Sequence, residues 1–87
     1  MVLLTSKQFD KKLLRVPWNI RRAYLARIHL FLIDPQNSVL HNHPLQGTYR
    51  GTRSINITGD YRLIFEQLGN DTIRLLEIDT HHNLYGT

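Results

Sequence analysis

The spacing of the apolar residues changes once along the chain, near residue 48, from a helical period to alternation. That single switch constrains the fold more than any other feature. A chain of 87 residues holds one core, so residues 1–87 are expected to form one domain. Helices and strands segregated in sequence give the α+β class. The expected architecture is an N-terminal helical hairpin packed on a small, mostly antiparallel sheet.

In the helical part, residues 1–4 are apolar and can form a short strand. Thr5-Ser6-Lys7-Gln8 reads as a capping box, with Thr5 as N-cap and Gln8 at the third helical position. Phe9, Leu13 and Val16 follow at helical spacing, which predicts a helix over about 6–16. Pro17 suits the first turn of a second helix. Its apolar stripe is Ile20, Tyr24, Ile28 and Phe31, with Ala23 and Leu32 beside it and Arg21, Arg22 and Arg27 on the polar side. Asp34-Pro35 ends it. The hairpin should therefore carry a basic outer surface.

Residues 34–48 read as a loop containing Pro35, Pro44 and Gly47. Strands are predicted over 49–57, 61–68 and 72–80, joined by Thr58-Gly59-Asp60 and Gly69-Asn70-Asp71. Two tight turns joining three strands make an antiparallel meander. Strand parity puts Arg53 on one face with Ile55 and Ile57, the face expected to be apolar. Arg62 shares its face with Asp60, Ile64 and Glu66.

Eleven Lys and Arg against seven Asp and Glu leave a net charge of +4. The excess is lopsided: residues 1–45 hold seven basic residues and two acids, and residues 46–87 hold four and five. A basic face fits an anionic partner, either nucleic acid or an acidic protein, and fits equally a solvated helix surface. The absence of cysteine excludes a disulfide scaffold, a thiol nucleophile and a thiolate metal site. The longest apolar run, Leu30–Ile33, is too short to span a membrane, and the first residues lack the pattern of a secretory leader. A cytoplasmic location is expected.

Five histidines are many for this length. His41 and His43 precede the sheet, His81 and His82 follow the last strand, and His29 stands alone on the second helix. The pairs could ligate a metal, but His-x-His and His-His are weak signatures without cysteine, and Asp79 is the only carboxylate nearby. The alternative is acid–base chemistry on a phosphodiester, since imidazole exchanges protons near pH ~6.5. RNA supplies its own nucleophile, the 2′-hydroxyl. A base, an acid and a cation on the phosphate complete the set, and His43, His81, Asp60, Arg53 and Arg62 are the candidates. Each also has a plain structural reading: the arginines as partners of sheet carboxylates, Asp60 as a turn residue, Tyr85 as a cap on the core.

Four segments then carry a resemblance: His43-Pro44-Leu45-Gln46-Gly47, Arg50-Gly51-x-Arg53, Gly59-Asp60-Tyr61-Arg62-Leu63-Ile64-Phe65, and Thr80-His81-x-x-Leu84-Tyr85. Their order and spacing resemble the RelE/ParE toxin superfamily, nearest its YafQ-like and YoeB-like mRNA interferases. The likeness is best over residues 40–87. It implies a RelE-like fold and a toxin of a type II toxin–antitoxin pair. Such a toxin is a ribosome-dependent endoribonuclease of the cytoplasm, using the 2′-hydroxyl and no metal or other cofactor. His43 falls where such toxins have a functional histidine or glutamate and becomes the candidate base. Arg62 matches the phosphate-stabilising arginine, His81 the general acid, and Asp60 a functional aspartate. Tyr85 takes the place of an aromatic that stacks on a base. Arg50, Arg53, Lys11, Lys12, Arg21 and Arg22 become candidate RNA contacts. Implied partners are an antitoxin, mRNA in the ribosomal A site and ribosomal RNA; the free toxin is expected to be monomeric. One departure is visible: Asn56 stands where YafQ-like toxins carry a second functional histidine, and asparagine transfers no proton at neutral pH. Two other readings stay open, a non-catalytic ParE-like toxin that binds gyrase and a decayed toxin that only binds antitoxin.

Overall fold

A computed structural model describes residues 1–86. Its strands are β1 (Val2–Thr5), β2 (His43–Pro44), β3 (Arg53–Asn56), β4 (Tyr61–Gln67) and β5 (Thr72–Thr80), and its helices α1 (Lys7–Leu13), α2 (Trp18–Ile33) and α3 (His81–Tyr85). The class is the expected α+β. The sheet has the order β1-β5-β4-β3-β2, antiparallel except for β1, which lies parallel to β5. The predicted meander is its centre, widened by one short strand at each edge.

Helices cover one face of this sheet. Phe9 of α1 and Ile20, Tyr24, Ile28 and Phe31 of α2 pack with Ile55 of β3, Leu63 and Phe65 of β4, and Ile73, Leu75 and Ile78 of β5, all nearly inaccessible to solvent. The predicted stripe of α2 is thus its buried side. Phe31 meets Phe65 edge-on with ring centres 5.0 Å apart, and Phe9 meets Tyr24 at 5.6 Å.

Several boundaries differ from expectation. Ser6, not Thr5, caps α1: its Oγ accepts from the Phe9 amide at 3.0 Å, and its backbone is extended. Thr5 instead ends β1, opposite Leu75. The Ser6 amide donates to the Leu75 carbonyl at 3.0 Å, so the cap is fastened to β5. Helix α1 ends at Leu13 rather than near 16, although Val16 still packs on the core. Residues 47–49 turn as a short 3-10 helix, so the strand predicted from 49 begins at Arg53; Gly47 and Gly51, with φ of 64° and 91°, allow the turns around it. The loop over 34–48 holds a second 3-10 turn at Ser38–Leu40 and the two-residue β2. Leu32 does not join the buried stripe but faces solvent. No helix of the described residues is long and apolar enough to cross a membrane.

Candidate functional site

The other face of the sheet is built by register. His43 of β2 pairs with Ser54, Ser54 with Ile64, and Ile64 with Glu77. Two residues along, Asn56 pairs with Arg62, and Arg62 with Asp79. Residues in register share a face, and positions two apart on a strand share it again, about 7 Å away. His43, Ser54, Asn56, Arg62, Ile64, Glu77 and Asp79 therefore lie on one face, opposite the helical hairpin.

Helix α3 folds onto this face. Thr80 caps it, its hydroxyl accepting from the Asn83 amide at 3.1 Å. Asn83 Nδ2 donates to Asp79 Oδ1 at 2.9 Å, and the His81 amide donates to the Asp60 carbonyl at 2.9 Å. The Tyr85 ring then stands 4.6 Å from that of His81 and 6.0 Å from that of Tyr49. Ile64 and Leu84 are buried outside the principal core.

The carboxylates here are held by a cation from the far side of the sheet edge. Strand β1 flanks only the first half of β5, and α1 follows it beside the second half. Lys12 Nζ reaches 3.0 Å from both Glu77 Oε1 and Asp79 Oδ2. Burial alone would lower the Lys12 pKa, but its hydrogen bonds to Asp79 and Glu77 hold it above the usual lysine value. Burial alone would raise Asp79; hydrogen bonds from Asn83, Lys12 and the Thr80 amide outweigh it and hold the carboxyl below its usual value. Burial, with Glu77 adding, pushes the Tyr49 phenol up.

Of the polar atoms in this region, Ser54 Oγ, Asn56 Oδ1 and the Tyr85 hydroxyl are buried without a hydrogen-bond partner among the described residues, as is Glu77 Oε1, whose charge is met by Lys12 at 3.0 Å. Unpaired buried polar atoms are rare and costly.

His43 Nδ1 lies 2.7 Å from the His41 carbonyl. A carbonyl only accepts, so Nδ1 is the donor, which in the neutral ring leaves the lone pair on Nε2. Arg62 Nη1 donates to the carbonyls of Thr58, Gly59 and Tyr61 at 3.0, 3.2 and 3.1 Å, fixing the guanidinium against the turn before β4. Asp60 is exposed in that turn and neighbours His81 through the backbone.

The remaining predicted residues separate from this group. Arg53 lies on the helix-covered face, where Nε donates to Asn42 Oδ1 at 2.8 Å. It lines a different cleft, of about 370 Å³, with Phe31, Asn42, Phe65 and Gln67. Lys12 is paired internally, and Arg21 Nη2 donates to the Leu13 carbonyl at 3.0 Å. Lys11, Arg22 and Arg50 are exposed. The outer surface of α2 is therefore not simply basic: Trp18, Leu25, Leu32 and Ile33 are exposed on it. His41 and His43 have ring centres 4.6 Å apart, and no third His, Cys, Asp or Glu among the described residues joins them. Tyr49 and Ser54 escaped the sequence reading. Ser54, a small polar residue inside an alternating strand, was the one available signal.

The fold is shared with solved toxins. YafQ from E. coli BL21(DE3) is 25% identical, with a TM-score of 0.71 and 97% of each chain covered. The toxin in the E. coli DinJ-YafQ toxin–antitoxin complex is 26% identical, with a TM-score of 0.68, covering 97% of this chain and 96% of that one. The YoeB/ParE toxin from Agrobacterium tumefaciens, at 18% identity, shares the fold with a TM-score of 0.76, covering 93% of this chain and 99% of that one. A comparison with curated protein sequences gives no match. The model of the ParE toxin of the type II toxin–antitoxin system parDE matches residues 3–85, nearly the whole chain, and the protein belongs to that toxin family, within the RelE/ParE superfamily that its motifs resemble.

Proposed function

We propose that this toxin is an endoribonuclease acting on mRNA at the ribosome, by metal-independent attack of the 2′-hydroxyl on the adjacent phosphodiester. The observation that carries the reading is the register that sets His43 and Arg62 on one face of the sheet, with His81 at its rim. His43 Nε2 takes the 2′-hydroxyl proton. The 2′-oxygen attacks phosphorus, and the bond to the 5′-oxygen breaks. His81 gives that oxygen a proton, leaving a 2′,3′-cyclic phosphate and a 5′-hydroxyl. The Nε–Nη2 edge of Arg62 meets the phosphate as charge builds on it. Asp60, whose backbone carbonyl accepts from the His81 amide, is the carboxylate assigned to orient the His81 ring in this reading. Tyr85, with Tyr49 behind it, offers a base a stacking surface worth ~1–3 kcal/mol. The unpaired Ser54, Asn56 and Tyr85 atoms support a polar ligand on this face. The partner that silences the toxin is an antitoxin, a reading supported by the DinJ-YafQ complex among the similar structures.

A second reading has its own support. The matching family is that of ParE, and Arg62 Nη1 is engaged by three backbone carbonyls. Both fit a toxin that binds its target without cutting. Induced expression of the wild type and of His81→Ala, followed by primer extension on a reporter mRNA, separates the two. Growth arrest with discrete, translation-dependent cuts, both lost in the variant, supports the nuclease. Arrest without cuts, unchanged in the variant, supports the binder.

A further inference from the structure

A half-buried arginine normally meets an anion, because its charge is costly to desolvate alone. Arg53 meets none among the described residues. It is half-buried, and its hydrogen-bond partner is neutral: Nε donates to Asn42 Oδ1 at 2.8 Å. The ion pairs of the described residues join Lys12 to Glu77 and Asp79, and Arg74 to Glu66. Nη1 and Nη2 of Arg53 have no hydrogen-bond partner among the described residues. Neither is one of the buried orphaned atoms, so both are open to solvent.

The fold builds a cleft around this guanidinium. In register Arg53 lies beside Phe65, and Gln67 follows two residues along on the same face. Phe31 and Phe65, edge to face and almost wholly buried, close the floor. Asn42 Nδ2 donates to the Pro35 carbonyl at 3.0 Å, which ties Arg53 through Asn42 to the loop after α2. The guanidinium is thus held from one side. Its Nη1–Nη2 edge remains, two parallel donors that match the two oxygens of a carboxylate or a phosphate.

The rest of the cleft suits the same chemistry. No Asp or Glu lines it, and its other polar side chains are the neutral amides of Gln36, Asn42, Gln67 and Asn70. Its volume, about 370 Å³, falls in the range of small-ligand sites. Arg53 is the only Lys or Arg along its walls. A nucleic acid, which is bound through many phosphate contacts, would find one here.

We infer that this cleft binds a small organic oxyanion, a carboxylate or a phosphate monoester, gripped by the Nη1–Nη2 edge of Arg53 above Phe31 and Phe65. Arg53 lies on the helix-covered face, across the sheet from His43 and Arg62, so the inference does not depend on the nuclease reading.

The test is titration of the whole chain with sodium acetate and with sodium phosphate, followed by amide NMR. Sodium chloride at matched ionic strength is the control. At least one of the two anions should give saturable shifts centred on Asn42, Arg53, Phe65 and Gln67 and move the Arg53 Nε–H resonance. Acetate alone assigns a carboxylate ligand; phosphate alone assigns a phosphate monoester. Arg53→Lys keeps the charge but loses the two-donor edge, and should weaken binding at least about tenfold. Gln67→Glu, at an exposed strand end, sets a carboxylate in the cleft and should weaken binding by a similar factor while the rest of the spectrum keeps its positions. No saturable shift with either anion overturns the inference. So do shifts that chloride reproduces, shifts centred on His43 and Arg62, or an affinity unchanged in either variant.

Discussion

Lys12 of α1 and Asp79 of β5, 67 positions apart in sequence, meet around the sheet edge with Nζ 3.0 Å from Oδ2. Asp79 also accepts from Asn83 of α3. One carboxylate thus joins the helical hairpin to the short helix carrying His81 and Tyr85. The folded pKa of Asp79 lies below its ordinary 3.8, so its stabilising contribution is present above that value and disappears as the pH falls through the folded pKa. The folded pKa of Lys12 lies above 10.5, so its contribution is present below 10.5 and disappears as the pH rises through the folded pKa. Asp79→Asn should therefore cost about 1 kcal/mol at neutral pH, a partly screened pair. The deficit should shrink in thermal melts below pH 3.8. Lys12→Met should show the mirror image, its deficit closing only above pH 10.5.

The position of the α1 cap gives a second prediction. Ser6→Ala removes the acceptor of the Phe9 amide and should cost about 1 kcal/mol, lowering Tm by roughly 4–8 °C for a domain of this size. Thr5→Ala removes no such acceptor and should change stability by no more than about 0.5 kcal/mol. Chemical denaturation of the two variants reads the difference.

The sheet separates the two strand arginines, as strand parity expects. Arg62 pairs in register with Asn56 and Asp79, on the face with His43; Arg53 pairs with Phe65, on the face with the core. Under the nuclease reading, Arg62→Ala should lower the cleavage rate by about 10²-fold or more. Arg53→Ala should leave the chemical step within a few-fold of wild type while losing stability, because Asn42 loses its donor. Single-turnover cleavage and a melt on each variant check both halves.

These divisions mark what was legible in the sequence. The long periodic elements were: α2, β4 and β5 lie where apolar spacing puts them, within a residue or two. Parity correctly assigned Arg53 to the face of Ile55 and Arg62 to the face of Ile64. Pairings and elements that depend on distant partners were not. The short strand at residues 1–4 is expected from its apolar run, but its parallel pairing to β5, about 70 positions away, is not, and β2 is only two residues beside β3. Helix α3 has one turn of its own and is held by Asp79 and the Thr80 cap. Lys12 reads as a free basic residue until the edge of the sheet places Glu77 and Asp79 beside it. The exposed side of α2 reads as basic from Arg21, Arg22 and Arg27, but only Arg22 of the three is fully exposed, and Leu32 lies far enough around the helix to face solvent.

Asn56 carries the sharpest test of the site. It sits on the proposed catalytic face opposite Arg62, with Oδ1 buried and unpaired, at the position where the motif likeness expects a histidine. An amide there can hold a ligand by a hydrogen bond but cannot exchange a proton at neutral pH. Asn56→His adds a proton carrier on the same face as His43, two residues along the sheet. If His43 and His81 already provide base and acid, the added imidazole should raise cleavage by less than about tenfold. If proton transfer is what limits the wild type, the gain should approach the ~10²–10⁴-fold that a positioned acid or base contributes, with a pH–rate profile that gains a limb near neutrality. Asn56→Ala distinguishes the hydrogen-bonding role: loss of substrate affinity with the chemical step unchanged places the amide in ligand binding.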